Sequence, residues 1–302
     1  MRLSDLGERA LIRRIRDRFK GEIGDDAAIL EFPPGHSIVY CSDLVAENTH
    51  FIRDLHPPDS VGYKVVAVNV SDVGAMGGIP MHFVVSLAAP GDLDLGWVDG
   101  FYDGIARACS DFGVSLAGGD SSSSERIFAD VSMIGRVPVG GAVRRSGAQV
   151  GDGIYITGEL GASIEGLEQL RKGNVTSPAA QRHLYPAPRH TIGAAVSGRA
   201  HAMIDVSDGL STDLTHIVEE SNVSGRIYSN RIPRAAGATG LQALHGGEEY
   251  ELIIVAPELP AVVNDVALTQ IGEIISSATD HQVFLIDGAR ESVLKPQGWQ
   301  HF

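Results

Sequence analysis

At five places along this chain, acidic residues stand beside glycine or serine at the ends of apolar runs. They are Gly24-Asp25-Asp26, Ser42-Asp43, Asp72 within NVSDVGAMGG, Gly118-Gly119-Asp120, and Asp205-Val206-Ser207-Asp208-Gly209. Carboxylates flanked by small residues leave room for a hard cation and for phosphate oxygens around it. A single such Asp reads more simply as a loop cap or the partner of an arginine. Their recurrence is what points to cations. Asp205, Ser207 and Asp208 also precede an amphipathic run, so they cluster at a helix N-terminus, where one acid is an ordinary cap and two acids with a serine exceed what capping needs. Gly118-Gly119-Asp120 follows an apolar strand, which would present free amides and an acid together, as a phosphate and metal site requires; a hydroxyl-rich turn would look the same.

Four further positions carry chemistry less specifically. His50 follows Asp43 in a loop, and a satisfied core histidine is the equal alternative. Glu248 sits in the glycine turn His245-Gly246-Gly247-Glu248, compatible with substrate contact. Arg144 and Arg145 stand in a glycine-rich joint and suit a nucleotide phosphate, with surface ion pairing as the plain reading. Trp299, in the tail GWQHF, either closes a core or stacks on a ring.

The elements that must hold these residues make a mixed α/β order. The spacing predicts an amphipathic helix over 4–19, whose basic face is more simply solvated than phosphate-binding, and a short strand over 38–42. A buried helix follows over 61–80, in which Asn69, Ser71 and Asp72 need compensation because an unpaired buried carboxylate costs several kcal/mol. Beyond it come a strand over 82–89, a helix over 95–112, and strands over 114–117 and 127–137. Residues 138–151 are glycine-rich and aperiodic, which places a boundary between domains 1–140 and 141–302. The second half reads as a strand over 154–157, a turn and helix in GELGASIEGLEQL, helical pieces over 182–197, a strand into Asp205, a helix to about Ser221, and a strand over 252–255.

The formal charge of −14 over 302 residues disfavours nucleic acid or an anionic membrane surface as the main partner. Cys41 and Cys109 have no metal-binding spacing and read as reduced thiols. No run reaches membrane-spanning length, and the first residues lack the apolar core of a signal peptide, so a cytoplasmic location is expected.

Taken in order, GDDAA, SDLVAENTHF, YKVVAVNVSDVGAMGG, GGDSS, RRSGAQVGD, IDVSDGL, GGEEYEL and GWQHF resemble the thiamine-monophosphate kinases, within the superfamily of aminoimidazole ribonucleotide synthetase. The resemblance implies an α/β (α+β) fold of two domains, with N-terminal sheets joined across a homodimer and active sites in clefts there. It implies transfer of the γ-phosphoryl group of ATP to thiamine monophosphate. Carried over by position, Asp26, Ser42, Asp43, Asp72, Asp120, Asp205 and Asp208 would hold several Mg²⁺ ions. Gly119, Asp120, Arg145 and Ser207 would contact ATP, and His50, Glu248 and Trp299 the thiamine substrate. No residue is assigned as a nucleophile, because the acceptor phosphate oxygen can attack directly. The chain departs from the family pattern at Cys41 (usually Ser or Thr), Ser121-Ser122 (Thr-Thr), Ala162 (commonly Asp) and Glu249 (Asp), and 234–244 looks shortened. Two rivals stand beside this reading: another ATP-using member of the superfamily with a different acceptor, and a non-catalytic cation- or nucleotide-binding homologue.

Overall fold

The computed structural model describes residues 1–19, 27–277 and 280–301. Asp26, expected among the metal ligands, lies outside them, as does Phe302. The chain divides into two compact units: Met1–Val73 with Ile79–Val139, and Gly74–Gly78 with Gly140–Phe302.

The first unit opens with α1 (Leu3–Leu6) and α2 (Glu8–Arg18). The single helix expected over 4–19 is broken at Gly7, whose φ of 75° no continuing helix adopts. The basic face of α2 meets the next-but-one helix: Arg14 pairs with Asp99, and Arg18 with Asp103 and the Asp99 carbonyl. Arg14 and Arg18 are thus ion-paired against protein, while Arg13 and Arg16 are exposed. Next come β1 (His36–Ala46), α3 (Pro58–Ala75), β2 (Ile79–Ala89), α4 (Leu95–Phe112), β3 (Ser115–Ser123) and β4 (Phe128–Pro138). The sheet order is β1-β4-β2-β3. β2 and β3 are parallel because α4 carries the chain back between them, while β4 is antiparallel to both β1 and β2.

α4 spans the expected residues because both ends are marked. The Asp94 side chain accepts from the Gly96 amide at 2.8 Å, and Gly113 stops the helix with a φ of 68°. α3 begins earlier than expected, at Pro58, whose missing N–H costs nothing in a first turn. It ends at Ala75, with Gly77 left-handed at φ 72°, so Ile79 and Pro80 belong to β2 and not to the helix. α3 buries Val61, Val65, Val66, Val70 and Val73. Gly62 and Gly104 let α3 and α4 touch backbone to backbone: a Cβ at Gly62 would lie 1.8 Å from the Phe101 carbonyl oxygen, and one at Gly104 1.9 Å from that of Asp59.

The second unit contains β5 (Gly153–Thr157), α5 (Ala162–Arg171), α6 (Pro178–Leu184), α7 (His190–Val196), β6 (Ala202–Asp205), α8 (Leu210–Glu220), β7 (Ser224–Tyr228), α9 (Gly240–His245) and β8 (Leu252–Ala256). β9 (Val262–Val263), β10 (Val266–Ile275), β11 (Val283–Asp287) and β12 (Arg290–Val293) complete it. Its sheet runs β12-β11-β7-β10-β5-β8-β6, with β9 on β10. β5, β6 and β8 are buried throughout and mostly apolar because both faces are covered. Ile154, Ile156, Ile204, Ile253 and Val255 meet Leu210, Leu214 and Ile217 of α8 on one side. Tyr155, Met203, Leu252 and Ile254 meet Ile192 and Val196 of α7 on the other. The ends of these strands are therefore rigid supports for the loops that follow.

Candidate active site

In the second unit three segments distant in sequence are laced together by backbone hydrogen bonds. The 205–209 loop joins β6 to α8. On it lies the glycine turn after α9, with the Glu248 amide donating to the Ser207 carbonyl at 2.8 Å and those of Glu249 and Tyr250 to the Val206 carbonyl at 3.1 and 2.9 Å. The C-terminal segment docks beside it: the Gly298 amide donates to Thr212 Oγ1 at 3.1 Å and the Trp299 amide to the Asp208 carbonyl at 3.0 Å. Asp205, Ser207, Asp208, Glu248 and Trp299, expected together from the motifs, are thus brought together. Trp299 is 50% exposed, which removes the core-packing alternative for its side chain. Arg145 is exposed and close enough to Asp208 to lower its pKa.

The electrostatics of this loop are those of crowded acids. Asp213, in the first turn of α8, accepts from the Asp208 and Gly209 amides through one oxygen, at 3.1 and 2.9 Å. Burial pushes its carboxyl well above the ordinary value, and repulsion from Asp205 and Asp208 adds to the shift, against the two amides. Burial also raises Asp208, opposed by His216, His301 and Arg145. A divalent cation would reverse this logic, since the carboxylates would then gain by ionising together. The donors are carboxylate and hydroxyl oxygens at a helix N-terminus, a set that fits Mg²⁺ better than a softer ion.

In the first unit Asn69 is buried on α3 but satisfied: its amide donates to the Val65 carbonyl at 3.0 Å, and the Cys41 thiol lies 3.6 Å from its Oδ1. Asp72, one turn along, is half-buried at the rim of the helix. His50 Nδ1 accepts from the Ala46 amide at 3.0 Å, so in the neutral ring the proton is on Nε2. The loop is tied down by Lys64, buried on α3, whose Nζ donates to the His50 carbonyl at 3.1 Å.

Two strand expectations are corrected by the structure. β1 runs on to Ala46, so Asp43 lies within a strand and not at its end. Ser42 and Asp43 consequently point to opposite faces. Ser42 Oγ donates to Asp130 Oδ1 at 2.9 Å on the open face, while Asp43 shares the α3-facing side with Cys41 and Val45. β3 likewise continues through Gly118-Gly119-Asp120 and ends at Ser123, so these residues form an edge strand and not a turn. The pairing with β2 slips at Ala117, after which Asp120 stands opposite Ser86, itself opposite Asp130 on β4. Asp120 and Asp130 line one open-face depression with Leu44, Ser86 and Ser122. Gly119 is required there: a Cβ would come 1.9 Å from the Val85 carbonyl oxygen. Among the described residues no three His, Cys, Asp or Glu side chains converge as a ready metal cage.

The N-terminal and C-terminal domains of the AIR synthase related proteins match residues 24–137 and 149–282. The thiamine-monophosphate kinase of Aquifex aeolicus is 34% identical over 100% of both chains, and that of Escherichia coli K12 37% identical over 88% of this chain and 87% of its own. This chain belongs to the thiamine-monophosphate kinase family. Among solved structures, AaThiL complexed with AMPPCP and TMP matches with a TM-score of 0.80 at 34% identity, covering 100% of this chain and 99% of that one. The hydrogenase maturation protein HypE in complex with ATP matches with a TM-score of 0.83 at 21% identity, covering 98% of each, and shares the fold alone.

For this family member, sequence motifs do not single out the residues that support the site from afar. Asp130 escapes notice because it sits inside an alternating strand, and Asp213 because it lies on the inner face of an amphipathic helix. His183 carries no signal within α6; its Nδ1 is 2.9 Å from Ser163 Oγ and 3.7 Å from Glu248 Oε2. Two departures from the family pattern lie together: Glu249 Oε1 accepts from Gly161 and Ser163, the residues on either side of Ala162. Glu251, fully buried, is held by Arg182, Arg189 and the Thr157 hydroxyl, which accounts for the last acid of that motif as a structural ion cluster.

Proposed function

We infer that this protein is a kinase that transfers the γ-phosphoryl group of ATP to the phosphate of thiamine monophosphate, giving thiamine diphosphate and ADP. The convergence of Asp205, Ser207, Asp208, Glu248 and Trp299 carries the reading on the structural side, and full-length similarity to thiamine-monophosphate kinases carries it on the side of relatedness. The acceptor phosphate oxygen forms the bond to the γ-phosphorus, the bond to the β-bridging oxygen breaks, and ADP leaves with that electron pair. No side chain needs to become covalently linked, so the protein contributes position and charge neutralisation.

Gly119, Asp120, Arg145 and Ser207 are assigned to ATP. The close backbone approach at Gly119 and the exposed guanidinium of Arg145 support those assignments. His50, Glu248 and Trp299 bind the thiamine substrate, Trp299 by presenting a half-exposed indole to a cationic ring. Asp26, Ser42, Asp43, Asp72, Asp120, Asp205 and Asp208 are assigned to several Mg²⁺ ions. Bound Mg²⁺ would neutralise the charge gathered on the phosphates and align them for in-line transfer. The acidic loop before α8, where burial and then the charges of Asp205 and Asp208 raise the Asp213 carboxyl, supports that need for cations. The functional division follows the sequence, with ATP, Mg²⁺ and dimerisation assigned to 1–140 and completion of the site to 141–302.

Homodimerisation is supported by the open face of the N-terminal sheet, where Ile38, Tyr40 and Leu44 of β1 and Val84 of β2 are exposed. A cytoplasmic location is supported by Cys41 and Cys109, which remain thiols. No described helix is long and apolar enough to cross a membrane. The test is consumption of ATP with and without thiamine monophosphate: dependence on the acceptor and formation of thiamine diphosphate are expected, and ATP turnover indifferent to the acceptor would overturn the reading.

A further inference from the structure

The segment Glu248-Glu249-Tyr250 is held in a backbone shape that these residue types avoid. Glu248 and Tyr250 have φ of 61° and 54°, in the left-handed region. A conformation of this kind persists only where the surroundings over-determine it. The backbone of 205–209 supplies part of the restraint through the amides of all three residues. The remainder comes from the Glu249 side chain, which is only 1% exposed. Its Oε1 accepts from the Gly161 amide at 2.9 Å and the Ser163 amide at 3.1 Å, at the N-terminal end of α5. Its Oε2 is buried with no hydrogen-bond partner among the described residues.

A helix start needs no such device, because a nearby serine or aspartate caps it from within the local chain. Here the cap comes from a residue 88 positions away, and it leaves a buried carboxylate oxygen unmatched, which is unfavourable for stability alone. What the arrangement secures is geometry. Ser163 receives Glu249 at its amide and His183 at its hydroxyl, and His183 Nδ1 lies 3.7 Å from Glu248 Oε2. The Glu249 carboxylate and the Glu248 carboxylate are thereby referred to the same residue of α5. The Arg182 guanidinium reaches the Glu249 carbonyl at 3.5 Å from α6.

We propose that Glu249 is a positioning residue for the thiamine-binding side of the site, its carboxylate fixing the strained turn on α5 so that Glu248 is aimed at the substrate. This rests on the assignment of Glu248 to the thiamine substrate. The experiment is a cycle of Glu248→Ala, Glu249→Ala and the double variant, with KM for thiamine monophosphate and for ATP measured separately and thermal midpoints recorded. Glu249→Ala is expected to raise KM for thiamine monophosphate by about tenfold while KM for ATP stays within about twofold. In the Glu248→Ala background the same change is expected to have no further effect, because the residue acts through its neighbour. Glu249→Gln, which keeps an acceptor for both amides, is expected to restore most of the loss. Should Glu249→Ala fail to fold, Glu249→Met, which keeps the length but offers the two amides no oxygen acceptor, replaces it in the cycle.

Equal loss for both substrates, or additive effects in the double variant, would reduce Glu249 to a structural role and overturn the proposal while leaving Glu248 in place. An unchanged KM in Glu248→Ala alone would overturn the substrate reading and the proposal with it.

Discussion

The backbone N–H of Trp299 donates to the carbonyl of Asp208 at 3.0 Å, so the C-terminal segment is anchored to the acidic loop by main chain and not by its indole. The side chain, half-exposed and in edge contact with His301, is left to meet a ligand. Trp299→Ala should therefore leave the segment docked and the thermal midpoint unchanged. Stacking on a cationic heterocycle is worth about 0.5–2 kcal/mol, so KM for thiamine monophosphate should rise roughly 2- to 30-fold with little change in kcat or in KM for ATP. An unchanged KM for thiamine monophosphate would remove Trp299 from the site.

Crowded carboxylates at the N-terminus of α8, with Asp213 raised by burial and by its neighbours Asp205 and Asp208, predict strong dependence on divalent cations. Excess chelator should abolish turnover and added Mg²⁺ restore it. Isothermal titration without divalent ions should show weak ATP binding. Full turnover in chelator would rule out charge neutralisation by cations.

Asp72 sits half-buried on α3, one turn beyond the satisfied Asn69. Asp72→Asn preserves shape and removes charge. Activity should fall by about 10²-fold or more, a loss typical of removing one electrostatic contact to a transition state. The unfolding midpoint should move by no more than a few degrees. Near-normal turnover would return Asp72 to a structural role.

Tyr40 is 67% exposed on β1, with Ile38 and Leu44 on the same face. Tyr40→Asp places a charge in the middle of this apolar surface. In sedimentation equilibrium the wild-type chain should run at twice its 32.0 kDa mass and the variant at the single-chain mass. A wild-type monomer at micromolar concentration would refute the dimer.

Burial pushes the Glu249 carboxyl from 4.5 up to about 7, against the lowering effect of Ser163, Arg182 and Gly161. Between those values the folded chain holds a proton that the unfolded chain releases. The contribution to stability is therefore complete below pH 4.5 and is lost as pH rises through 7. In Glu249→Gln this dependence disappears. The facing groups Arg182, His183 and Glu251 are common to both proteins and cancel in the comparison. The midpoint of the variant should gain on that of wild type from pH 4.5 to 7 and run parallel outside that window, with a full span of roughly 3 kcal/mol. A constant difference across the window would show that the carboxyl is not displaced.

Local physical chemistry makes much of this molecule legible from the order of its residues. Asp94 and Gly113 mark the ends of α4, and the unbroken apolar runs of β5 and β8 require two covered faces. The acids beside small residues in IDVSDGL suggest cation chemistry by residue type and spacing, whereas the aromatic tail by itself leaves core packing and ring stacking open. Tertiary structure decided the rest. Glycine reads as a turn by its own conformational freedom, yet at Gly118 and Gly119 the ladder to β2 overrides that preference and draws Asp120 into an edge strand. Ser42 meets Asp130 across 88 residues, and Asp208 meets Trp299 near the chain's end. Such pairings depend on strand register and loop closure over the whole unit, and no local propensity encodes them.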